Sequence, residues 1–166
     1  SLIPKAVAFD EIAYCCTSGK KVIGETKLAE KIKSVFSNVA TTNPLTAVKA
    51  NLAALGARRI GLLTPYEPHV SQAMADHLNA DGFEISSFGA FNEKEEAKVT
   101  RISRASILAG IEAIGVGDQC DAVFASCTNL RMRDILDEAQ QRIGKPVISS
   151  NSALAWHIKQ LTGQNQ

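Results

Sequence analysis

The sequence has few aromatic residues, almost no net charge and no long hydrophobic run. Aromatic residues make up 5% of the 166 residues, too few for a surface on which nucleic-acid bases stack. The formal net charge is +1, so no overall field would attract nucleic acid or an anionic membrane. No apolar run approaches the ~20 residues of a membrane-spanning helix. We therefore expect neither nucleic acid nor a membrane as a partner.

Motifs for metals, phosphates and disulfides are also missing. There is no C-x-x-C, H-E-x-x-H or G-x-G-x-x-G pattern, so we expect no metal and no cofactor. The cysteines lie at positions 15, 16, 120 and 127, and adjacent Cys15 and Cys16 make poor disulfide partners. Reduced thiols indicate a cytoplasmic protein. The first residue is Ser1 rather than Met, which we interpret as a truncated start.

Short apolar runs alternate with helical periodicity along the whole chain. Hydrophobic residues make up 45% of the sequence, enough for the core of one domain or of two small lobes. We expect strands over residues 11–16, 39–42, 59–63, 83–88, 121–126 and 146–149, with helices between them and a charged loop over 89–101. This order predicts an α/β fold in which parallel sheets are flanked by helices. Ligands of such folds bind beyond the carboxyl ends of the strands.

Two segments of the chain resemble each other. Each has a strand, a Cys-Thr pair at the strand end, a helix, and a second strand that ends in two hydroxyl residues and Asn. The first copy runs from Cys16 to Asn43 and the second from Cys127 to Asn151. Cys15 and Cys120 have no counterpart. The repeat predicts two related lobes whose Cys16 and Cys127 thiols face one cleft.

Two thiols in one cleft can carry out proton transfer and nucleophilic addition without a metal or pyridoxal phosphate. Each cysteine is expected to precede a helix directly, and a helix N-terminus lowers a thiol pKa. The neighbouring polar residues offer hydroxyl, amide and backbone N–H groups to a carboxylate or a developing enolate. The predicted substrate-binding residues of this kind are Thr17, Ser18, Thr128 and Asn129.

These residues resemble the aspartate/glutamate racemase superfamily, in particular its branch of maleate cis–trans isomerases and arylmalonate decarboxylases. The segments that carry the resemblance are 14–19 with 22–24, 62–66, 126–131, and 146–151 with 155–157. The resemblance implies a cofactor-independent isomerase with two pseudo-symmetric α/β lobes. It implies that Cys16 adds to an alkene, that Cys127 handles the proton, and that Tyr66 hydrogen-bonds the substrate carboxylate.

The resemblance also implies a division of the chain. Residues 1–45 with 150–166 would form the remainder of a first lobe, residues 46–149 would form the second lobe, and a stretch before Ser1 would complete the first. A small carboxylate or dicarboxylate is the expected substrate, and a homo-oligomer is compatible with this pattern.

Alternatives remain open within and outside this chemistry. Glu96 stands where maleate isomerases carry Asn, and its carboxylate would repel a dicarboxylate unless it points away or is protonated. A racemase, including one of the ectoine-utilisation type, and an arylmalonate decarboxylase are the alternatives that share the fold. A non-catalytic carboxylate-binding protein is the alternative from another class. Asn43 and Asn151 are expected to cap helices, and the charge run 93–98 to be solvated.

Overall fold

The computed structural model describes residues 8–17, 25–37 and 39–163. Its strands are β1 (Glu11–Ala13), β2 (Ala40–Thr42), β3 (Arg59–Thr64), β4 (Glu84–Ala90), β5 (Ala122–Ala125) and β6 (Val147–Ser149). Its α-helices are α1 (Glu25–Lys33), α2 (Pro44–Ala54), α3 (Pro68–Ala80), α4 (Glu96–Val99), α5 (Arg104–Gly115), α6 (Leu136–Ile143) and α7 (Ser150–Leu161). A 3₁₀-helix, Arg133–Ile135, precedes α6.

The described strands form two parallel sheets. Strand β1 pairs with β2, and the second sheet has the order β4-β3-β5-β6. All four residues of β5 are buried, as expected for a central strand covered by helices on both faces. The predicted α/β class, with parallel sheets flanked by helices, is confirmed.

Helix α7 connects the two sheets. It contacts β1 and β2 of the smaller sheet and β6 of the larger sheet, and it packs against α2. Its N-terminus is fixed by a capping box, in which the side chains of Ser149 and Ser152 each accept a hydrogen bond from the other's backbone N–H. The first residue of α7, Ser150, is therefore held next to the end of β6.

Two regions differ from the predicted elements. The charged segment predicted as a loop contains α4, whose last residue, Val99, is buried in the core. Strand β1 ends at Ala13 rather than at Cys16. In both places, contacts with distant residues determine the conformation of a few residues, and local periodicity does not predict such contacts. The division into lobes at residues 45 and 149 stays a prediction.

Within the described ranges, no helix combines the length and the apolar character that crossing a bilayer requires.

Gly61 allows β3 to lie close to β4 and α5. A Cβ at this position would be 2.9 Å from the Ser87 hydroxyl and 3.3 Å from the carbonyl oxygen of Ile114. The Ser87 hydroxyl cannot move away without cost, since it donates to that same carbonyl at 2.7 Å. The absence of a side chain at Gly61 is therefore a packing requirement.

We expect Gly61→Ala to lower the free energy of unfolding by about 1–3 kcal/mol, the usual cost of overpacking a well-filled core. Denaturant unfolding measures this loss. Gly89→Ala is the matched control in the adjacent strand, because its Cβ would meet only the side-chain atoms Leu63 Cδ1 at 3.1 Å and Ile114 Cγ2 at 3.3 Å. Equal losses for the two variants would contradict the packing argument.

Candidate active site

Residues that follow three adjacent strands lie at one edge of the larger sheet. Tyr66 comes two residues after β3, Cys127 two residues after β5, and Ser150 directly after β6. Because these strands are parallel neighbours, their carboxyl ends share an edge, the usual position of ligand sites in such sheets.

The Ser150 hydroxyl connects the two Cys-Thr segments. Its Oγ accepts a hydrogen bond from Thr17 Oγ1 at 3.2 Å and another from the backbone N–H of Cys127 at 3.0 Å. Thr17 and Ser150 are both buried. The segment after β1 and the segment after β5 therefore meet through one side chain.

Cys127 has an unusual backbone conformation. Its φ angle is +105°, in a region that residues other than glycine rarely adopt and that costs about 1–3 kcal/mol. The conformation is held by the bond from Cys127 N to Ser150 and by the bond from Leu130 N to the carbonyl oxygen of Cys127, 3.3 Å long. As a result, the backbone N–H of Asn129 donates to Cys127 Sγ at 3.4 Å.

Burial raises the pKa of the Cys127 thiol above its ordinary value. The N–H of Asn129 and a hydrogen bond with Tyr66 act in the opposite direction, and the negative charge of Glu96 adds to the rise. The expectation that a following helix N-terminus lowers this pKa was wrong, because α6 begins only at Leu136 and burial dominates. Cys127 is a protonated thiol at neutral pH and can act as an acid.

Tyr66 is a neutral hydrogen-bonding group in this environment. Burial is the main reason that its phenol pKa is raised, and the neighbouring Cys127 raises it further. Hydrogen bonds with Ser126 and Thr17 act in the opposite direction. The Tyr66 hydroxyl thus interacts with residues from both Cys-Thr segments.

The other predicted site residues occupy varied positions around this cluster. Cys16 is half-buried, and its backbone N–H donates to the carbonyl of Tyr14 at 3.1 Å. The Thr128 carbonyl accepts from Asn151 Nδ2 at 2.8 Å. The exposed side chain of Asn129 donates to the carboxylate of Glu96. Ser18 lies outside the described residues. All four cysteines are thiols.

The two asparagines of the repeat have different roles. Asn43 caps α2, as predicted, since its side-chain oxygen accepts from the N–H groups of Leu45 and Thr46, both at 3.1 Å. The capping role predicted for Asn151 was wrong. Ser149 is the N-cap of α7, so the Asn151 amide is available to bind the Thr128 carbonyl.

Ser150 was not among the predicted site residues. The repeat contained the signal, because each copy ends in two hydroxyl residues before Asn. The counterpart of Ser150 is Thr42, whose Oγ1 lies 2.7 Å from Nδ1 of His157. The last hydroxyl residue of each copy, Thr42 in the first and Ser150 in the second, is thus hydrogen-bonded to a distant part of the chain.

The residues 8–17, 25–37 and 39–163 include no group of three or more His, Cys, Asp or Glu side chains arranged to hold a metal ion.

The parallel sheets flanked by helices, with the cysteine loop at the carboxyl ends of the strands, define an α/β protein. The chain belongs to the arylmalonate decarboxylase family, whose family model matches residues 22–166. The resemblance to the branch of maleate isomerases and arylmalonate decarboxylases is thereby confirmed.

Curated relatives include two named enzymes. The maleate isomerase of Nocardia farcinica is 25% identical over 154 residues, which cover 89% of this chain and 61% of the relative. The arylmalonate decarboxylase of Bordetella bronchiseptica is 28% identical over 123 residues, covering 74% of this chain and 51% of the relative. This chain therefore spans about half to three-fifths of the length of these relatives.

Solved structures share the fold. A cysteine-to-serine mutant of the Nocardia farcinica maleate cis–trans isomerase, with a covalently bound succinylcysteine intermediate, has a TM-score of 0.85. Its sequence is 22% identical, and the match covers 93% of this chain and 66% of that chain.

We expect Ser150→Ala to lower the free energy of unfolding by about 1–3 kcal/mol, because the Thr17 hydroxyl and the Cys127 N–H lose their buried acceptor. Denaturant unfolding measures the loss. Ser86→Ala is the matched control, since Ser86 Oγ is buried and has no hydrogen-bond partner among the described residues. That variant should be neutral or slightly stabilising, and an equal loss in both variants would contradict the bridging role.

The raised pKa of Cys127 predicts a pH effect. Ultraviolet thiolate absorbance, taken as the difference between wild type and Cys127→Ala, should titrate above the ordinary value of 9.0 in the folded protein. In denaturant, the same difference should titrate at the ordinary value. Because the folded state holds this proton more tightly, the Cys127 contribution to stability is present below pH 9.0 and is lost as the pH rises towards the folded pKa. A folded midpoint below the denatured one would refute this assignment.

Proposed function

We propose that this protein is a cofactor-independent two-cysteine isomerase of the maleate cis–trans isomerase kind, acting on a small carboxylate. The observation that carries the proposal is the meeting of both Cys-Thr segments at the Ser150 hydroxyl. Through that contact, Thr17, which follows Cys16, and the backbone of Cys127 are hydrogen-bonded to the same side chain.

The relatives support the same chemistry. The succinylcysteine intermediate of the Nocardia farcinica enzyme is a cysteine joined covalently to a four-carbon dicarboxylate. This chain has a cysteine in each copy of its repeat. In this proposal Cys16 is the cysteine that adds to the alkene, and Cys127 is the cysteine that transfers a proton.

The reaction can be written with Cys16 as nucleophile and Cys127 as acid. The Cys16 thiolate forms a C–S bond to one alkene carbon, and the electron pair of the double bond moves to the neighbouring carbon as an enolate. The Cys127 thiol protonates that carbon, and rotation follows about the new single bond. Cys127 then removes the proton, the double bond reforms as trans, and the C–S bond breaks to restore the Cys16 thiolate.

The remaining predicted residues would bind the substrate. Tyr66, with its raised pKa, stays a hydrogen-bond donor for a carboxylate. Thr17, Ser18, Thr128 and Asn129 would supply further polar groups around the enolate. The proposal invokes no metal or other cofactor. It also includes the two-lobe division at residues 45 and 149 and a cytoplasmic location.

We expect single substitutions of either proposed catalytic cysteine to abolish most of the turnover. Cys16→Ala and Cys127→Ala should each lower kcat by about 10²–10⁴-fold, the usual contribution of a positioned nucleophile or acid. The assay measures trans product from small cis-unsaturated carboxylates, maleate included, together with carbon dioxide from phenylmalonate and solvent deuterium in amino acids. Cys127→Ser should also accumulate a covalent adduct on Cys16, detectable by mass spectrometry.

Cys15→Ala is the matched control, because Cys15 is exposed and has no counterpart in the repeat. Its turnover should equal that of wild type. Full activity in both Cys16→Ala and Cys127→Ala would defeat the mechanism. Equal ligand affinity in wild type and Cys16→Ala without turnover in either would instead identify a carboxylate-binding protein. Carbon dioxide release without isomerisation would identify a decarboxylase.

A further inference from the structure

Glu96 places a negative charge beside the proposed acid Cys127. It is the first residue of α4, and its carboxylate accepts a hydrogen bond from the side-chain amide of Asn129. Asn129 in turn donates its backbone N–H to Cys127 Sγ at 3.4 Å. Glu96 is therefore attached to the same loop as the thiol.

The neighbouring acidic residue points elsewhere. The carboxylate of Glu95, the N-cap of α4, forms an ion pair with Lys98 at 2.6 Å, so its charge is compensated by a residue of α4. Among the ion pairs of the described residues, none involves Glu96. Its hydrogen-bond donor is the neutral amide of Asn129, so among the described residues no cationic side chain compensates the charge of this exposed carboxylate.

The charge of Glu96 affects the pKa of the Cys127 thiol. Glu96 contributes to the raised pKa of Cys127, although burial contributes more. A carboxylate that disfavours a thiolate at Cys127 also disfavours any second anion bound beside that sulfur, and it favours a cation or an N–H donor at the same place.

We propose that Glu96 is a specificity-determining residue that selects carboxylates whose second polar group is an ammonium or amide donor and rejects dicarboxylates. This inference rests on the proposed function, because it concerns the substrate that is bound beside Cys127. It narrows the substrate of the proposed isomerisation to cis-unsaturated monocarboxylates that bear an amide or ammonium group, so that the chemistry is of the maleate isomerase kind while maleate itself is a poor substrate.

The test measures equilibrium binding of three saturated ligands of similar size by calorimetry near neutral pH: succinate, succinamate and 4-aminobutanoate. Wild type should bind 4-aminobutanoate at least ~10-fold more tightly than succinate, with succinamate between them. Glu96→Gln should reduce that ratio by at least ~10-fold, because it removes the charge while its amide oxygen can still accept from Asn129.

Glu95→Gln is the matched control and should keep the wild-type ratio. A loss of structure would weaken all three ligands together, whereas loss of the proposed role changes their ratio. An unchanged ratio in Glu96→Gln, or no binding of any of the three ligands by wild type, would overturn the inference. Binding does not require turnover, so the two proposals can fail separately. If the cysteine mechanism is wrong, the wild type would still show the expected ligand selectivity but would form no product.

Discussion

The bridging hydroxyl of Ser150 holds together the parts of the chain from which the candidate site is built. Its two donors lie 133 and 23 residues away along the sequence, and all three groups are buried. A buried hydroxyl or N–H that loses its acceptor costs more than an ordinary hydrogen bond contributes. The position of Cys127 therefore depends on the first turn of α7, which the capping box of Ser149 and Ser152 fixes.

The environment of Cys127 balances opposing effects on one proton. Burial and the charge of Glu96 favour the thiol, whereas Tyr66 and the N–H of Asn129 favour the thiolate. Burial has the largest effect, so the thiol is the favoured form, which suits the proposed role of Cys127 as the acid. The positive φ of Cys127 contributes by directing Sγ towards the N–H of Asn129. The strained backbone is thus located at the residue that is proposed to transfer the proton.

The parallel α/β architecture could be predicted from the sequence because buried strands such as β3 and β5 are continuous apolar runs, bounded by helical stripes. The repeat also predicts that Cys16 and Cys127 are equivalent positions. The short helix α4 could not be found, since four residues carry no measurable period. The role of Ser150 and the amide contact of Asn151 depend on how distant segments meet. Local capping preference therefore predicted Asn43 correctly and Asn151 wrongly.

The acidic run around α4 illustrates why composition alone does not locate a site. Glu95 is the N-cap of α4 and has an extended backbone, whereas Glu96 is the first helical residue, and the two side chains contact different neighbours. Glu95 reaches Lys98 in its own turn and Glu96 reaches Asn129 in the cysteine loop. A sequence pattern of four charged residues does not distinguish these directions. In the proposed role of Glu96, one carboxylate adds to the effect of burial on the Cys127 proton and disfavours a second anion at the same place. Because both effects have the same electrostatic origin, any change in the charge of Glu96 alters them together.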